Sequence, residues 1–212
     1  MADTKWEDAS RLEAWTGELR VNLIRSIALV VFYANHLVDV STRSERTDAG
    51  GTFHAAVTAI VLAWAVGILI LHICLARRFL PPALKYVATA WDLVLITALV
   101  MVSPDGPISP LMLLFFVVIA AAPLRLSLPL VYVTTLGAMA AALIALGQYV
   151  VLRLGWEEYM DASKGHRIPH VTEVIFLLAL GASGLLAGQS VRQARRLVYG
   201  YPVKVQEHQG ES

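Results

Sequence analysis

Arg25, His72 and Asp92 stand inside stretches that are otherwise apolar enough to cross a bilayer, and this placement makes them chemical candidates. An ionisable side chain in the middle of a membrane helix costs about 2.5–3.5 kcal/mol on insertion scales, so each needs a partner or a task. Arg25 and Asp92 lie at similar depths in the first and third stretches. A buried Arg25–Asp92 ion pair facing the interior of a helix bundle satisfies both. A proton relay through Asp92 and His72 is the alternative reading, although proton pumps carry more such groups at mid-membrane.

A second set collects at the opposite ends of the stretches. His36 and Asp39 close the first, His54 opens the second, and His166, His170 and Glu173 lead into the last. Imidazole and carboxylate together suit zinc or copper. The spacing His166-x3-His170-x2-Glu173 puts three donors on one helical face, but Pro169 interrupts that face. These groups therefore read first as interfacial caps and loop hydrogen bonds, with a metal site or a pH-sensitive input surface as the sharper alternatives, and the metal stays undetermined. Nothing requires a cofactor. The chain has no Gly-rich phosphate loop, HExxH, serine elbow or aspartate-rich motif, so no catalytic residue is assigned and no enzyme is expected.

The elements that must position these groups are six apolar stretches, at 22–40, 54–75, 84–102, 110–124, 129–152 and 171–191. A hydrocarbon core of about 30 Å takes about 20 helical residues. The expected fold is all-α, a polytopic membrane helix bundle with about six transmembrane helices. Its parts are an N-terminal segment (1–20), the bundle (21–191) and a C-terminal tail (192–212). The fourth stretch is short, which leaves open whether it spans. Pro81-Pro82, Ser103–Pro107, and Pro123 with Pro129 separate neighbouring helices, because proline cannot continue one. Hydrophobic residues make up 57% of the chain and charged residues 16%, too little charge for a soluble domain of 212 residues. A net charge of +1 gives no electrostatic footprint for a nucleic-acid partner. Cys74 is the one cysteine, so an intramolecular disulfide is excluded.

Orientation follows from the basic residues. With the N-terminus inside, Lys5, Arg11, Arg20, Arg25, Arg77, Arg78, Lys85, Arg125, Arg192, Arg195, Arg196 and Lys204 fall on the inner side. Arg43, Arg46, Arg153, Lys164 and Arg167 fall outside, so both termini are expected in the cytoplasm, in a bacterial inner membrane. The early acidic residues, Asp3, Glu7 and Asp8, do not suit a basic signal-peptide region. Leu12, Trp15 and Leu19 recur at helical spacing, which predicts a short amphipathic helix along the inner surface. Arg192, Arg195 and Arg196 form a juxtamembrane cluster, either a headgroup anchor or the output of a signal. Gly200-Tyr201-Pro202 is expected to end that helix and leave a disordered tail. Gly181, Gly184 and Gly188 allow close helix approach, within the bundle or to a second copy in a homodimer.

The third to fifth stretches carry a resemblance. An apolar helix, then Ser103-Pro104-Asp105-Gly106-Pro107-Ile108-Ser109-Pro110-Leu111, then a second apolar helix and a tight turn at Leu124-Arg125-Leu126 resembles the six-span input module of bacterial sensor histidine kinases, those of the redox-sensing and pilus-regulating kind. Leu19-Arg20-x4-Arg25 is similar to the entry of that module. The resemblance implies signal input at Asp105, Gly106, Ser109 and Pro110, and quinone as a candidate ligand. It covers about 19–196 as architecture, and no kinase transmitter is expected after it. The expected function is thus a stand-alone, non-catalytic membrane sensor or scaffold that relays an outer-face or intramembrane signal to a separate signalling or membrane protein. The alternatives are a small-solute or ion transporter or channel, and a membrane enzyme acting on lipid or quinone.

Overall fold

A computed structural model describes residues 2–42, 48–78, 81–154 and 170–210, with side chains described for 15–42, 51–78, 81–152 and 171–196. Every element among the described residues is helical. In chain order they are α1 (Ala2–Thr42), α2 (Asp48–Ala76), α3 (Leu84–Val102), α4 (Leu114–Ala121), α5 (Leu128–Tyr149) and α6 (His170–Gly210). Tight 3-10 windings flank α4 at Pro110–Leu113 and Ala122–Arg125, and a π-helical turn, Val150–Leu154, extends α5.

Five helices are long and apolar enough to cross a membrane, and Pro110–Arg125 is a shorter apolar unit. Its shortness is offset by its winding. The unit has four 3-10 residues, eight α residues and four more 3-10 residues. At about 2.0 Å per 3-10 residue and about 1.5 Å per α residue it reaches about 28 Å, the length of α3. Its ends confirm the match. Ser109 follows the turn after α3, where its hydroxyl accepts from the Leu111 amide, while Arg125 donates to the carbonyl of Lys85 at the start of α3. The unit therefore runs antiparallel to α3, and its last winding packs against α1. The turn that launches it needs glycine: Gly106 has φ +53°, and a Cβ there would lie 2.5 Å from the Tyr149 ring.

The core lies mostly between α3, α4, α5 and α6, where Ile96, Val100, Phe115, Ile119, Val131, Ala138 and Leu180 are buried. A smaller cluster, Val57, Val61 and Leu99, sits under Leu29 and Phe32 and ties α1 and α2 to α3. Large apolar side chains also cover the outside, among them Leu23, Val30, Leu62, Leu69, Val94, Leu136, Leu178 and Leu186. In water so broad an apolar surface would drive aggregation, whereas lipid tails solvate it. Threonines, arginine and aspartate point inward instead. This is an integral, multi-pass membrane protein by architecture.

The small residues of α6 divide by position. A Cβ on Gly184 would overlap the side chain of Thr135 on α5, one on Gly188 would make ordinary contact with Leu128 and Tyr132, and one on Gly181 would meet nothing. The close approach is thus internal and rests on Gly184. Gly184→Ala is expected to cost about 1–3 kcal/mol by overpacking, while Gly181→Ala stabilises by up to about 1 kcal/mol through helix propensity. Unfolding midpoints of the two variants in the same detergent check this, and equal midpoints would remove Gly184 from the interface.

Two helices exceed their expected length. α1 is continuous from Ala2, so the amphipathic segment prolongs the first span instead of forming a separate surface helix. No proline lies between residues 2 and 42, and nothing in that run breaks the hydrogen-bond ladder. α6 likewise passes through Gly200, Tyr201 and Pro202 to Gly210, where the sequence predicted a break and a disordered tail. Proline removes one amide donor and costs about 3 kcal/mol, which a long helix can absorb as a local defect.

Candidate functional site

At the end of the bundle marked by Trp15 and Lys85, two polar ladders face each other. On α1, Glu18, Asn22 and Arg25 follow at i, i+4 and i+7; on α3, Lys85, Thr89 and Asp92 have the same spacing. That period keeps each set on one helical face. Each ladder rises about 10 Å. Glu18, Asn22, Arg25, Thr89 and Asp92 are all buried.

The deep rung is the Arg25–Asp92 ion pair. Arg25 Nε donates to Asp92 Oδ2 at 2.6 Å, and Arg25 Nη2 meets the same oxygen. Trp64 on α2 donates its indole N–H to Asp92 Oδ1 at 3.0 Å. Each carboxylate oxygen is therefore held, and α1, α2 and α3 are pinned at one point. His72 takes no part. It is exposed on α2, and the partners of Asp92 are Arg25 and Trp64, so the relay through His72 is not assembled.

The shallow rung is built around Arg125, which follows α4. Its Nη2 pairs with Glu18 Oε2 at 2.9 Å, and its Nη1 donates to Thr89 Oγ1 at 2.6 Å and to the Lys85 carbonyl at 3.1 Å. The Arg125 side chain is 4% exposed. Sequence reasoning placed Arg125 with the inner-side cations and left Glu18 unassigned. The matched i, i+4, i+7 polar spacings on the first and third stretches were the available signal. With Asp92 ionised, Arg25 and Arg125 balance Glu18 and Asp92, as a low-dielectric interior requires.

Arg125 adjoins an unusual junction. Leu126 has φ +48°, a left-handed conformation that costs a non-glycine residue about 1–2 kcal/mol. Its carbonyl accepts two hydrogen bonds from Arg195 of α6, from Nη2 at 2.6 Å and Nε at 3.1 Å. Arg192 adds a bond to the Tyr132 hydroxyl at 3.2 Å. Consecutive residues thus hold different helices: Arg125 grips α1 and α3, and Leu126 is gripped by α6. Arg196, the third cation of the cluster, is exposed.

At the opposite end, His36 Nε2 and His54 Nδ1 are 3.1 Å apart, a hydrogen bond whose donor is set by the ring tautomers. His36 stacks on Phe32 and meets Phe53 edge-on. Asp39 lies on α1 one turn beyond. The 103–110 turn contributes structure: Gly106 and Ser109 are buried, while Asp105 and Pro110 are exposed. Glu173 borders a second cleft with Pro107, Met112 and Phe176. His170 is the first residue of α6, and His166 lies outside the described residues. Among the described side chains, His36 and His54 are the histidines brought together. Among the described residues no three histidine, cysteine, aspartate or glutamate side chains converge to hold a metal ion.

Comparison with known proteins adds no relative: no family model, curated protein or solved structure matches this chain. The paired ladders contain no activated nucleophile and no open metal position; what they can do is fix the packing of α1, α2, α3 and α6 relative to one another.

Proposed function

We propose that this chain is a non-catalytic membrane sensor or scaffold module that relays a change in helix packing to a separate protein, with α6 as its output. The observation that carries this is the Arg125–Leu126 junction. A shift in the Glu18–Arg125 or Arg25–Asp92 rung displaces Arg125, and the neighbouring Leu126 carbonyl carries the movement to Arg195. The left-handed Leu126 gives this junction a strained state that a second packing would relieve.

Beyond Arg195 the helix continues for about 20 Å, a rod long enough to present a docking surface. α1 also extends past its membrane-crossing part at that end. The orientation proposed, from the excess of basic residues, places both extensions in the cytoplasm of a bacterial cell. The similarity of the 103–111 turn to sensor-kinase input modules supports the same reading, with the His36–His54 pair and that turn as the input surface.

Isolation of the chain from its native membranes under mild solubilisation, followed by quantitative mass spectrometry, tests the proposal. A stoichiometric signalling or regulatory protein is expected with the unaltered chain, and its response to this chain is lost with Arg195→Ala while the fold persists. Recovery of the chain alone, together with solute flux in liposomes that Asp92→Asn reduces, would replace the relay by a transporter.

A further inference from the structure

A cavity of about 50 Å³ lies between α1, α3 and α4, bounded by both rungs of the ionic network. Arg25, Thr89, Asp92 and Arg125 form its polar side, and apolar residues such as Ile24 and Leu114 form the rest. Arg25 Nη1 and Arg125 Nε are buried and have no hydrogen-bond partner. Both residues are more than nine-tenths buried by side-chain exposure and both line this space. Two N–H donors left over from a charge-balanced network call for a neutral acceptor oxygen, since a buried unmade bond costs about 1–3 kcal/mol or more.

Shape and position narrow the class of acceptor. The mouth opens sideways between α1 and α4, where Ile24, Ala28 and Val117 are exposed toward lipid. A closed cavity of about 150 Å³ holds a benzene ring, so this smaller one suits the carbonyl end of a linear chain better than a ring. Arg125 lies level with Lys85 and Ser127, whose side chains bond each other at the helix ends. α3, of membrane-crossing length, begins at Leu84, so this level is where the polar interface of a bilayer would fall.

We infer that this cavity binds the acyl carbonyl of a lipid, with the carbonyl oxygen accepting from Arg25 Nη1 and Arg125 Nε and the chain leaving between α1 and α4. A glycerolipid ester and a fatty acid bound in its protonated form share this chemistry. The site is independent of the relay proposed above, because binding is read directly and needs no partner protein.

The test compares, by native mass spectrometry of the full chain, dioleoyl phosphatidylglycerol with its dialkyl ether analogue, which keeps the headgroup and lacks both carbonyls. At least tenfold tighter binding of the ester is expected. Ala121→Leu fills the cavity without removing any member of the ionic network and should abolish that preference; Ala28→Leu, at the lipid-facing mouth, serves if the first variant fails to fold. Competition by oleate that is lost in the same variant would assign the site to free fatty acid. Equal binding of ester and ether, with oleate indifferent to the variants, means the space holds water alone and overturns the inference. An ester preference unchanged by cavity filling overturns it too, because the carbonyl is then read elsewhere.

Discussion

Arg25→Ala is expected to lower the stability of the bundle by about 3–5 kcal/mol, the usual consequence of removing one member of a buried ion pair. Arg25 is 8% exposed and Asp92 5% exposed, so water does not replace the missing guanidinium. Trp64 remains bonded to one carboxylate oxygen and leaves the other uncompensated. The conservative control is Arg25→Met with Asp92→Asn, which removes both charges and keeps an acceptor for the Trp64 indole. That double variant should recover at least half of the loss, since exchanging a buried pair for neutral groups of similar size is often close to neutral. Reversible unfolding in mixed detergent measures both variants beside the unaltered chain. If Arg25→Ala unfolds with the unaltered chain, the pair does not hold α1 to α3.

Gly17→Ala should act at the other rung, through backbone. A Cβ on Gly17 would lie 2.7 Å from the Leu124 carbonyl oxygen and 3.3 Å from the Arg125 Cα. Neither atom is the end of a flexible side chain, so α1 must move away from the turn that carries Arg125. Overpacking of this kind costs about 1–3 kcal/mol, more than the gain of about 1 kcal/mol from replacing a helical glycine. Displacing α1 also stretches the Glu18–Arg125 pair, at 2.9 Å in the unaltered chain. Glu18→Ala should therefore cost less in the Gly17→Ala background than alone, a non-additivity expected for neighbours in one network. Strict additivity in that double-mutant cycle would separate the glycine from the ionic rung.

Much of this arrangement was legible in the chain. The apolar stretches have the length of a bilayer and prolines separate the inner ones, so the all-helical membrane class was legible, although α1 and α6 run well past the bounds read from the sequence. The Arg25–Asp92 pair was legible for a related reason: a charge in hydrocarbon demands a partner, and few were on offer. Arg125 escaped because it follows the last apolar residue of a short stretch, where a basic side chain ordinarily meets lipid headgroups. Only the 3-10 winding beside it turns the guanidinium inward. The histidines misled for the opposite reason. Their grouping at span ends suggested convergence, yet His36 pairs with His54 because they face each other across two adjacent helices, while Glu173 belongs to a different cleft.

Composition and period determined that the chain is a bundle of apolar helices with polar faces turned inward, because lipid leaves backbone and charge no other way to be satisfied. Register decided the rest. Which rung meets which, that sixteen residues reach as far as nineteen, and that Leu126 joins α6 to the buried network all depend on how far each helix is shifted and rotated against its neighbours. Close-packed contacts such as Gly17 on Leu124 and Gly184 on Thr135 fix those shifts, and they join residues distant in sequence.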